Sequence, residues 1–448
     1  MREATFQTAP SAVHAALAKW ILVDGFSIVY DTARSHGAYL VDAATGTEYL
    51  DVFSFFASMP VGHNHPKLHD PEFLARMQAA AVTKVSNSDV YTPAMADFVT
   101  AIGRTMPAGF EHLFFIEGGA LAVENAIKVA FDWKVRKNIA RGLCKGTDDD
   151  LVGTKVLHFR NAFHGRSGYT LSLTNGFARE KTQYFPKFAW PRVDAPAMRF
   201  PFDDAAKAEV IAAEKASLAQ IDAAIAMYGH DIAAILIETI QGEGGDNHFR
   251  SEFLAALRKI CDEQDILLIF DEIQCGMGIT GKWWAFEHTG VAPDVFSFGK
   301  KSQVCGIAST GRVDEIDSCF KVPSRINSTW GGNIVDMVRA TQYVSIIEQD
   351  QLLNRCRDTG EYLRESLHAL AKRRPAVTNV RGRGLMCAFD LPSTALRAAC
   401  VKHSMQDEQM LVLPCGPQSI RFRPVLDVEP PQIDEAVARL DRVIGKIA

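Results

Sequence analysis

The sequence lacks the features that mark nucleic-acid-binding, membrane and secreted proteins. Its 48 Lys and Arg residues are outnumbered by 53 Asp and Glu residues, whereas a protein that neutralises nucleic-acid phosphates needs a positive excess. Its apolar runs, such as 232–237, are far shorter than the ~20 residues that span a bilayer. Residues 1–10 show no basic start followed by an apolar core, so no secretory signal is expected. We expect a cytoplasmic protein whose partners are neither nucleic acid nor membrane.

The nine cysteines form no recognisable framework. Their number is odd and no Cys-x-x-Cys pair occurs, which argues against a set of disulfides and against a structural zinc site. We therefore expect reduced, partly buried thiols and no bound metal.

The rest of the composition is typical of a globular α/β protein. Hydrophobic residues make up 47% of the 448 residues, enough for a large core. In the middle of the chain, short β-rich runs alternate with amphipathic helices, which predicts a mostly parallel sheet with helices on both faces. Strands are predicted at 113–116, 156–159, 232–237, 266–270 and 295–298, and helices from Ala120 and from Ser251, with Ser251 as N-cap.

The pattern changes near residue 335 and predicts a small α+β domain. Helices are predicted at 335–348 and 354–372, strands at 384–390, 410–413 and 419–423, and a final helix with its apolar face at Ile433, Val437, Leu440 and Ile444. We therefore predict a large domain at 71–335, a small domain at 336–448, and an N-terminal segment, 1–70, that packs with the small domain.

Residues 276–282, GMGITGK, match two nucleotide-binding patterns. They read G-x-G-x-x-G after a strand, as in dinucleotide sites, and G-x-x-x-x-G-K, as in P-loops. The P-loop pattern fails because Trp283 stands where Ser or Thr would bind magnesium, and only 282–288 is available for the crossover helix of a dinucleotide site. A glycine-rich turn is the favoured interpretation, and a nucleotide-binding protein is the remote alternative.

Two charged residues at predicted strand ends indicate a cofactor site. Asp271 follows the run 266–270, at the edge of the sheet where ligands bind in α/β proteins, and Lys300 follows the run 295–298. Taken singly, Asp271 fits a helix cap or surface acid and Lys300 a solvated charge. Together they fit a pyridoxal phosphate enzyme, in which a lysine forms an imine with the cofactor and an acid keeps the pyridine nitrogen protonated.

Two further turns are suited to the same cofactor. Residues 115–120, FIEGGA, lead from a strand through two glycines into a helix whose free N–H groups would face a phosphate, although a simple tight turn has the same pattern. In the run 162–166, AFHGR, either Phe163 or His164 is available to cover the ring, and Arg166 to bind a carboxylate.

With these pieces in this order, the chain resembles the class-III, fold-type-I aminotransferases over residues 25–445. The matching runs are GHNHP at 62–66, EGGA at 117–120, FHGR at 163–166, QGEGG at 241–245, DEIQ at 271–274, GK at 299–300, STWGGN at 328–333 and RGRGL at 381–385. One departure is Thr239, because the family commonly has proline after the acid that is Glu238 here. The resemblance implies a fold-type-I transferase that binds pyridoxal 5'-phosphate.

The resemblance also implies which residues contact the cofactor. Lys300, not Lys301, matches the lysine that forms the imine, and Asp271 matches the partner of the pyridine nitrogen. The other implied contacts are Gln274 to the ring hydroxyl, the N–H groups of Gly119 and Ala120 to the phosphate, and Phe163 or His164 to the ring face.

A homodimer with shared active sites is implied as well. By resemblance, Thr329 reaches the phosphate bound by the partner subunit, and Asn327 contacts substrate from the same loop.

Three runs narrow the resemblance within the family: SNSDVY at 86–91, FGKKSQVCG at 298–306 and INSTWGGN at 326–333. They resemble members that move the terminal amino group of lysine to 2-oxoglutarate, which yields glutamate and 2-aminoadipate 6-semialdehyde. The alternative is another ω-aminotransferase that acts on ornithine, acetylornithine or 4-aminobutyrate.

Lysine and glutamate place different demands on one pocket, because only glutamate has a carboxylate beside its reacting carbon. By resemblance, Arg421 binds that carboxylate and pairs with Glu243 when lysine is bound, so that its charge is never left unpaired. Arg166 would bind the remote carboxylate of both substrates. Alternatively, Glu243 is a loop acid and Arg421 a strand-edge charge.

Overall fold

The computed structural model describes residues 8–448; residues 1–7, where no secretory signal is expected, lie outside them. The right-handed α-helices are Val13–Leu17, Pro71–Ala81, Pro93–Gly103, Gly119–Ala140, Gly168–Leu173, Asp204–Tyr228, Ser251–Glu263, Ile334–Gln349, Leu352–Arg373, Thr394–Glu408 and Pro430–Ile447, and Ser54–Ala57 forms a short helical turn with positive φ angles. The strands are β1 (Tyr39–Val41), β2 (Glu48–Asp51), β3 (Phe110–Ile116), β4 (Lys155–Phe159), β5 (Arg192–Val193), β6 (Ile232–Glu238), β7 (Ile240–Gln241), β8 (Asn247–His248), β9 (Leu267–Asp271), β10 (Val295–Phe298), β11 (Cys305–Thr310), β12 (Thr378–Arg383), β13 (Met386–Asp390), β14 (Met410–Leu411), β15 (Leu413–Cys415) and β16 (Ser419–Phe422).

The largest sheet has seven strands in the order β3-β11-β10-β9-β6-β4-β5. Strands β10, β9, β6, β4 and β5 pair in parallel, which confirms the prediction of a mostly parallel sheet. Strand β11, which was not predicted, pairs antiparallel with both β10 and β3. It reverses direction because only residues 299–304 separate it from β10, too few for a parallel crossover.

Both faces of this sheet are covered, because its strands are apolar at successive positions rather than at alternate ones. Leu236 and Ile269 pack in the core that contains the buried face of helix Gly119–Ala140. Ile237 and Phe270 point the other way, into the core that includes helix Ser251–Glu263.

The predicted N-cap of helix Ser251–Glu263 is wrong. The capping position is Arg250, and no side chain accepts a hydrogen bond from the first turn. Instead, the carbonyl of Arg250 accepts from the N–H groups of Phe253 and Leu254, so the backbone closes this turn without help from a serine.

The two ends of the chain share a second core. Strand β14 pairs in parallel with β2, where Met410 lies opposite Leu50, and both residues belong to a core cluster with Phe422 of the four-stranded sheet β12-β13-β16-β15. Helix Ile334–Gln349 contributes to this core and to that of the large sheet. We propose domain boundaries at residues 70 and 335, as the sequence predicts.

The predicted strand 410–413 is two strands in the structure. Met410 and Leu411 extend the sheet of β1 and β2, whereas Leu413 begins β15, which pairs with β16. The chain changes sheets at Val412, and no local pattern signals that change.

The glycine run 276–282 is a packed turn, in agreement with the favoured interpretation. A Cβ on Gly276 would lie 2.8 Å from the ring of Trp284, and one on Gly281 would lie 2.2 Å from Cγ of Arg357. The chain continues into the short 3₁₀ turn Ala285–His288 rather than into a crossover helix. The space that a nucleotide phosphate would need is filled by the protein's own side chains.

All nine cysteines are free and buried, so the expectation of unpaired thiols holds and their burial is greater than predicted. Among residues 8–448, no helix is both long and apolar enough to cross a bilayer.

Candidate active site

A cavity of about 350 Å³ lies at the carboxyl ends of β6, β9 and β10, beside the start of helix Gly119–Ala140. It brings together most of the predicted site residues, namely Gly119, Ala120, Phe163, His164, Arg166, Glu243, Asp271, Gln274 and Lys300. Arg421 lines a neighbouring cavity that Glu243 also lines. Asn327 and Thr329 line neither of these two cavities.

Asp271 is the last residue of β9 and is held from three sides. Its Oδ2 lies 2.8 Å from Nδ1 of His164, and its Oδ1 accepts hydrogen bonds from the N–H of Ile273, at 3.0 Å, and from the hydroxyl of Ser297, at 3.2 Å. The residue is only 4% exposed. A buried carboxylate with this many partners has a defined orientation, as a fixed counter-charge requires.

The two adjacent lysines point to different places. Lys300 lines the cavity, whereas the ammonium of Lys301 donates to the carbonyl of Ala57 at 2.8 Å and is buried there. Burial lowers the pKa of Lys300, and the charge of Arg421 lowers it further. A lowered pKa increases the fraction of neutral amine, the form that acts as nucleophile and base.

The start of helix Gly119–Ala140 offers backbone donors to the cavity. Its capping residue, Gly118, has φ +95° and supplies no side chain. A Cβ on Gly118 would meet no atom within 4 Å, whereas one on Gly119, which lines the cavity, would lie 3.2 Å from Cγ2 of Ile273. Free N–H groups and the helix dipole make such a position favourable for an anion.

Phe163 and His164, the two candidates for the ring face, differ in their contacts. His164 is buried with Nδ1 on Asp271, and its Nε2 has no hydrogen-bond partner among the described residues. Phe163 is partly exposed and lines the cavity. His164 therefore acts first on Asp271, while the ring of Phe163 remains free to cover a ligand.

Gln274 is oriented by arginines of the small sheet. Its Oε1 accepts from Arg421 Nη1 at 2.9 Å and from Arg423 Nη2 at 2.9 Å. Because arginine only donates, these contacts fix which end of the amide is the oxygen and leave the NH₂ group for other acceptors. Arg423 is in turn ion-paired with buried Asp246.

Glu243 lies between two cations. Its Oε2 is 3.9 Å from Nη2 of Arg421, and its Oε1 accepts a hydrogen bond from Lys181. Arg421 is 2% exposed, so its charge depends on partners. Arg166, by contrast, is exposed and makes no ion pair within residues 8–448.

Asn327 and Thr329 lie on an exposed loop away from the cavity. The carbonyl of Thr329 accepts from the hydroxyl of Ser86 at 2.7 Å, and that of Ser328 accepts from Ser88. The segments 86–91 and 326–333, two of the three runs that resemble lysine-specific members of the family, therefore lie together on one surface.

Sequence reasoning missed the role that Glu238 could have in this site. Glu238 ends β6 directly beside Asp271 in the parallel register, lines the cavity, and accepts from the N–H groups of Phe163 and Gly242. Burial raises the pKa of Glu238 to about 7, and the negative charge of Asp271 adds to that rise. The available signal was an acid at the end of a fully apolar strand, the pattern that pointed to Asp271.

The residues present fit pyridoxal phosphate. An amine, a fixed carboxylate and the first residues of a helix line one cavity, and its volume is within the range of cofactor sites. Asp271 would hold the ring nitrogen, the helix start would hold the phosphate, and Lys300 is placed at the same cavity.

Known proteins resemble this chain over nearly its whole length. The family model described as aminotransferase class-III matches residues 23–444. The L-lysine-epsilon aminotransferase of Mycobacterium tuberculosis is 54% identical, covering 96% of this chain and 95% of that protein, and that of Amycolatopsis lactamdurans is 49% identical, covering 96% and 94%. A solved structure of lysine aminotransferase from M. tuberculosis in the internal aldimine form has a TM-score of 0.94 at 52% identity, covering 98% of this chain and 100% of that one.

Proposed function

Because this chain belongs to the class-III aminotransferase family, we propose that it is an L-lysine 6-aminotransferase. The protein is a fold-type-I, pyridoxal-phosphate-dependent aminotransferase. In the proposed reaction, the terminal amino group of lysine passes to 2-oxoglutarate. The products are glutamate and 2-aminoadipate 6-semialdehyde, which cyclises to piperideine-6-carboxylate. The 54% identity to a lysine aminotransferase over nearly the whole chain is the observation that supports this donor.

The residues of the cavity have distinct tasks in this proposal. When bound, pyridoxal phosphate supplies an aldehyde that takes up the amino group and a ring that withdraws electrons from the reacting carbon. Asp271, oriented by His164, holds a proton at the ring nitrogen. The Nζ of Lys300 removes the proton from the substrate carbon that bears the amine, a task suited to its lowered pKa. Phe163 covers the ring.

Two arginines would serve the carboxylates of the two substrates. Arg166 is exposed beside the cavity and unpaired within residues 8–448, which suits a ligand for the remote carboxylate that both substrates have. Arg421 would bind the second carboxylate of glutamate and 2-oxoglutarate. When lysine occupies the site, Glu243 would neutralise Arg421.

A donor panel tests the proposed substrate. With 2-oxoglutarate as acceptor, lysine should give a kcat/KM at least tenfold above those of ornithine, acetylornithine and 4-aminobutyrate, about 1.4 kcal/mol of discrimination. Glutamate formation gives the rate, and aminobenzaldehyde detects the cyclic product. A higher kcat/KM for any of the other amines would show that this amine, and not lysine, is the preferred donor.

Removing the carboxylate of Glu243 tests its assigned role as the partner of Arg421. In single turnovers, Glu243→Ala should slow the reaction with lysine more than that with glutamate, because Arg421 is left unpaired only when lysine is bound. Equal losses of rate with lysine and with glutamate would contradict the assigned role of Glu243.

We also propose a cytoplasmic homodimer in which Thr329 and Asn327 complete the partner's site. Nine unpaired, buried thiols support a reducing compartment. The surface formed by 86–91 and 326–333 exposes Tyr91 (76%) and Trp330 (45%), and exposed aromatics of this kind are enriched in interfaces.

Hybrid dimers test the shared site. Lys300→Ala and Thr329→Ala chains, each weakly active alone, should regain activity when mixed and allowed to exchange subunits. One site of the hybrid would then contain Lys300 from one chain and Thr329 from the other. Light scattering should give the mass of a dimer, and a mixture no more active than its parts would argue against sharing.

A further inference from the structure

Lys181 is a second cationic partner of Glu243, the acid proposed to neutralise Arg421 when lysine is bound. Its Nζ donates to Oε1 of Glu243, while Oε2 of the same carboxylate lies 3.9 Å from Nη2 of Arg421. Glu243 therefore stands between two cations, and only Arg421 has a place in the proposed reaction so far.

The position of Lys181 keeps it beside Glu243 without placing it in the cofactor cavity. It ends the 3₁₀ turn Arg179–Lys181 and lines the neighbouring cavity together with Glu243 and Arg421. Its Nζ also lies 5.8 Å from the ring centre of Phe163. The side chain of Lys181 is 33% exposed and that of Glu243 is 26% exposed, so solvent screens the interaction between their charges only in part.

The charge of Glu243 needs a partner in both halves of the reaction. Burial alone would raise the pKa of Glu243, but the hydrogen bond and charge of Lys181, helped by the charges of Arg421 and Lys300, hold that pKa below its ordinary value. The carboxylate thus stays ionised at neutral pH. When Arg421 binds a substrate carboxylate, an ionised Glu243 without a partner would be unfavourable, because about three quarters of its side chain is buried.

We infer that Lys181 is a positioning residue that holds the carboxylate of Glu243 when a diacid binds Arg421 and Glu243 moves away from that arginine. This inference rests on the proposed function. Glu243 then loses its contact with Arg421 but keeps that with Lys181, so it retains a counter-charge, and Lys181 contributes to the selection of 2-oxoglutarate and glutamate. With lysine as substrate, Arg421 also remains beside Glu243, so the carboxylate keeps a cationic partner even without Lys181.

A direct contact of Lys181 with substrate would behave differently. Lysine and glutamate both have a remote carboxylate, so a lysine side chain that bound it would matter equally for both. The two roles are therefore separated by measuring the two substrates independently.

The test compares Lys181→Met with the wild-type holoenzyme. Its affinity for glutarate, a diacid without a reacting group, should fall about tenfold by calorimetry, as expected for the loss of one charged partner. In single turnovers, the apparent Kd for glutamate should rise by a similar factor, while that for lysine stays within about twofold. Lys181→Arg should restore the glutarate affinity, because it keeps the charge.

A control variant and a double variant decide whether Lys181 acts through Glu243. Lys187→Met removes a lysine of the same segment that donates only to backbone carbonyls, and should leave glutarate affinity unchanged. In a Glu243→Gln background, Lys181→Met should have no further effect on glutarate affinity, because the charge that it holds is gone.

Three outcomes would overturn the inference: unchanged glutarate affinity in Lys181→Met, equal losses for lysine and glutamate, or a full additional loss in the Glu243→Gln background. The glutarate measurement needs no amino donor. If the wild type did not use lysine, the proposed function would fail while the comparison of Lys181 variants would remain interpretable.

Discussion

Two glycine-rich turns come after strands of this protein, and only one of them borders the cofactor cavity. At Gly118, an added Cβ would meet nothing within 4 Å, and the next residues line the cavity. In the loop 276–282, added Cβ atoms would enter the space of Trp284 and Arg357. The first turn has open space beside Gly118 and only the side chain of Ile273 close to Gly119, whereas the protein's own side chains fill the space around the second turn. A glycine motif therefore marks a tight space and leaves its occupant undefined.

Each turn also lies near a buried acid. Glu238 lines the cavity beside Asp271. Glu272 accepts from the N–H groups of Ala285 and Phe286 and so holds the segment after the glycine loop. The difference between the turns predicts that changes at the cavity alter activity, and that changes at the loop alter stability.

The largest expected effect is at Lys300. Lys300→Ala should lower the rate of glutamate formation by at least about 10³-fold, because it removes the nucleophile and base of the site. Lys301→Met, which loses only a hydrogen bond to Ala57, should stay within about tenfold of wild type. Borohydride reduction followed by mass mapping should find the cofactor on Lys300, and an adduct on Lys301 would reverse the assignment.

Asp271→Asn should reduce kcat by about 10²–10³-fold, because a neutral amide cannot keep the ring nitrogen protonated. The rate must be normalised to bound cofactor, which is measured by its absorbance. A variant with full cofactor and wild-type kcat would show that Asp271 serves only the fold.

At the glycine loop the expected effect is on stability. Gly276→Ala places a Cβ 2.8 Å from the carbonyl of Glu272 and from the ring of Trp284, so it should destabilise the protein by about 1–3 kcal/mol. Gly103→Ala is the matched control: no atom lies within 4 Å of its added Cβ, and this helical position should tolerate or gain from alanine.

Thermal melts of these two glycine variants measure the difference, and ATP or NAD should not raise the melting temperature of the wild type. Nucleotide protection, or a Gly276→Ala protein as stable as wild type, would mean that the loop has free space after all.

The smallest expected effect is a pH dependence shared by the two acids. Burial raises the pKa of both Glu238 and Glu272 from 4.5 to about 7. Between these values the unfolded chain releases the protons that the folded protein keeps, so each acid contributes stability below pH 4.5 that is lost as the pH rises to 7. The loss is on the order of 1–3 kcal/mol per acid.

Glu238→Gln and Glu272→Gln should each flatten the fall of the melting temperature between pH 5 and 7.5, and only Glu238→Gln should also change the kinetics. Parallel wild-type and variant curves across this range would contradict the raised pKa values.

Much of the large sheet could be predicted because its signals are local. Strand β10 was predicted with its observed bounds, and β9 was displaced by one residue, since continuous apolar runs are typical of strands covered on both faces. Strand β11 was missed because its sequence, CGIAST, has no continuous apolar run, and the division at Val412 was missed because it depends on which distant strand offers a free edge. The capping prediction for Ser251 failed because a backbone carbonyl already closed the turn.

The site, too, has residues that local sequence patterns predict and contacts that they do not. Asp271 and Lys300 were recognisable because each comes after its own apolar run, and the order of the short motifs identified the family. The sequence by itself thus determined the layered fold, the cofactor chemistry and the candidate residues. Only the tertiary structure decided that Glu238 stands beside Asp271, that Lys181 contacts Glu243, and that one glycine turn borders the cofactor cavity while the other is packed against side chains. Such contacts join segments far apart in the chain, and they depend on the packing of the whole core, which no local pattern contains.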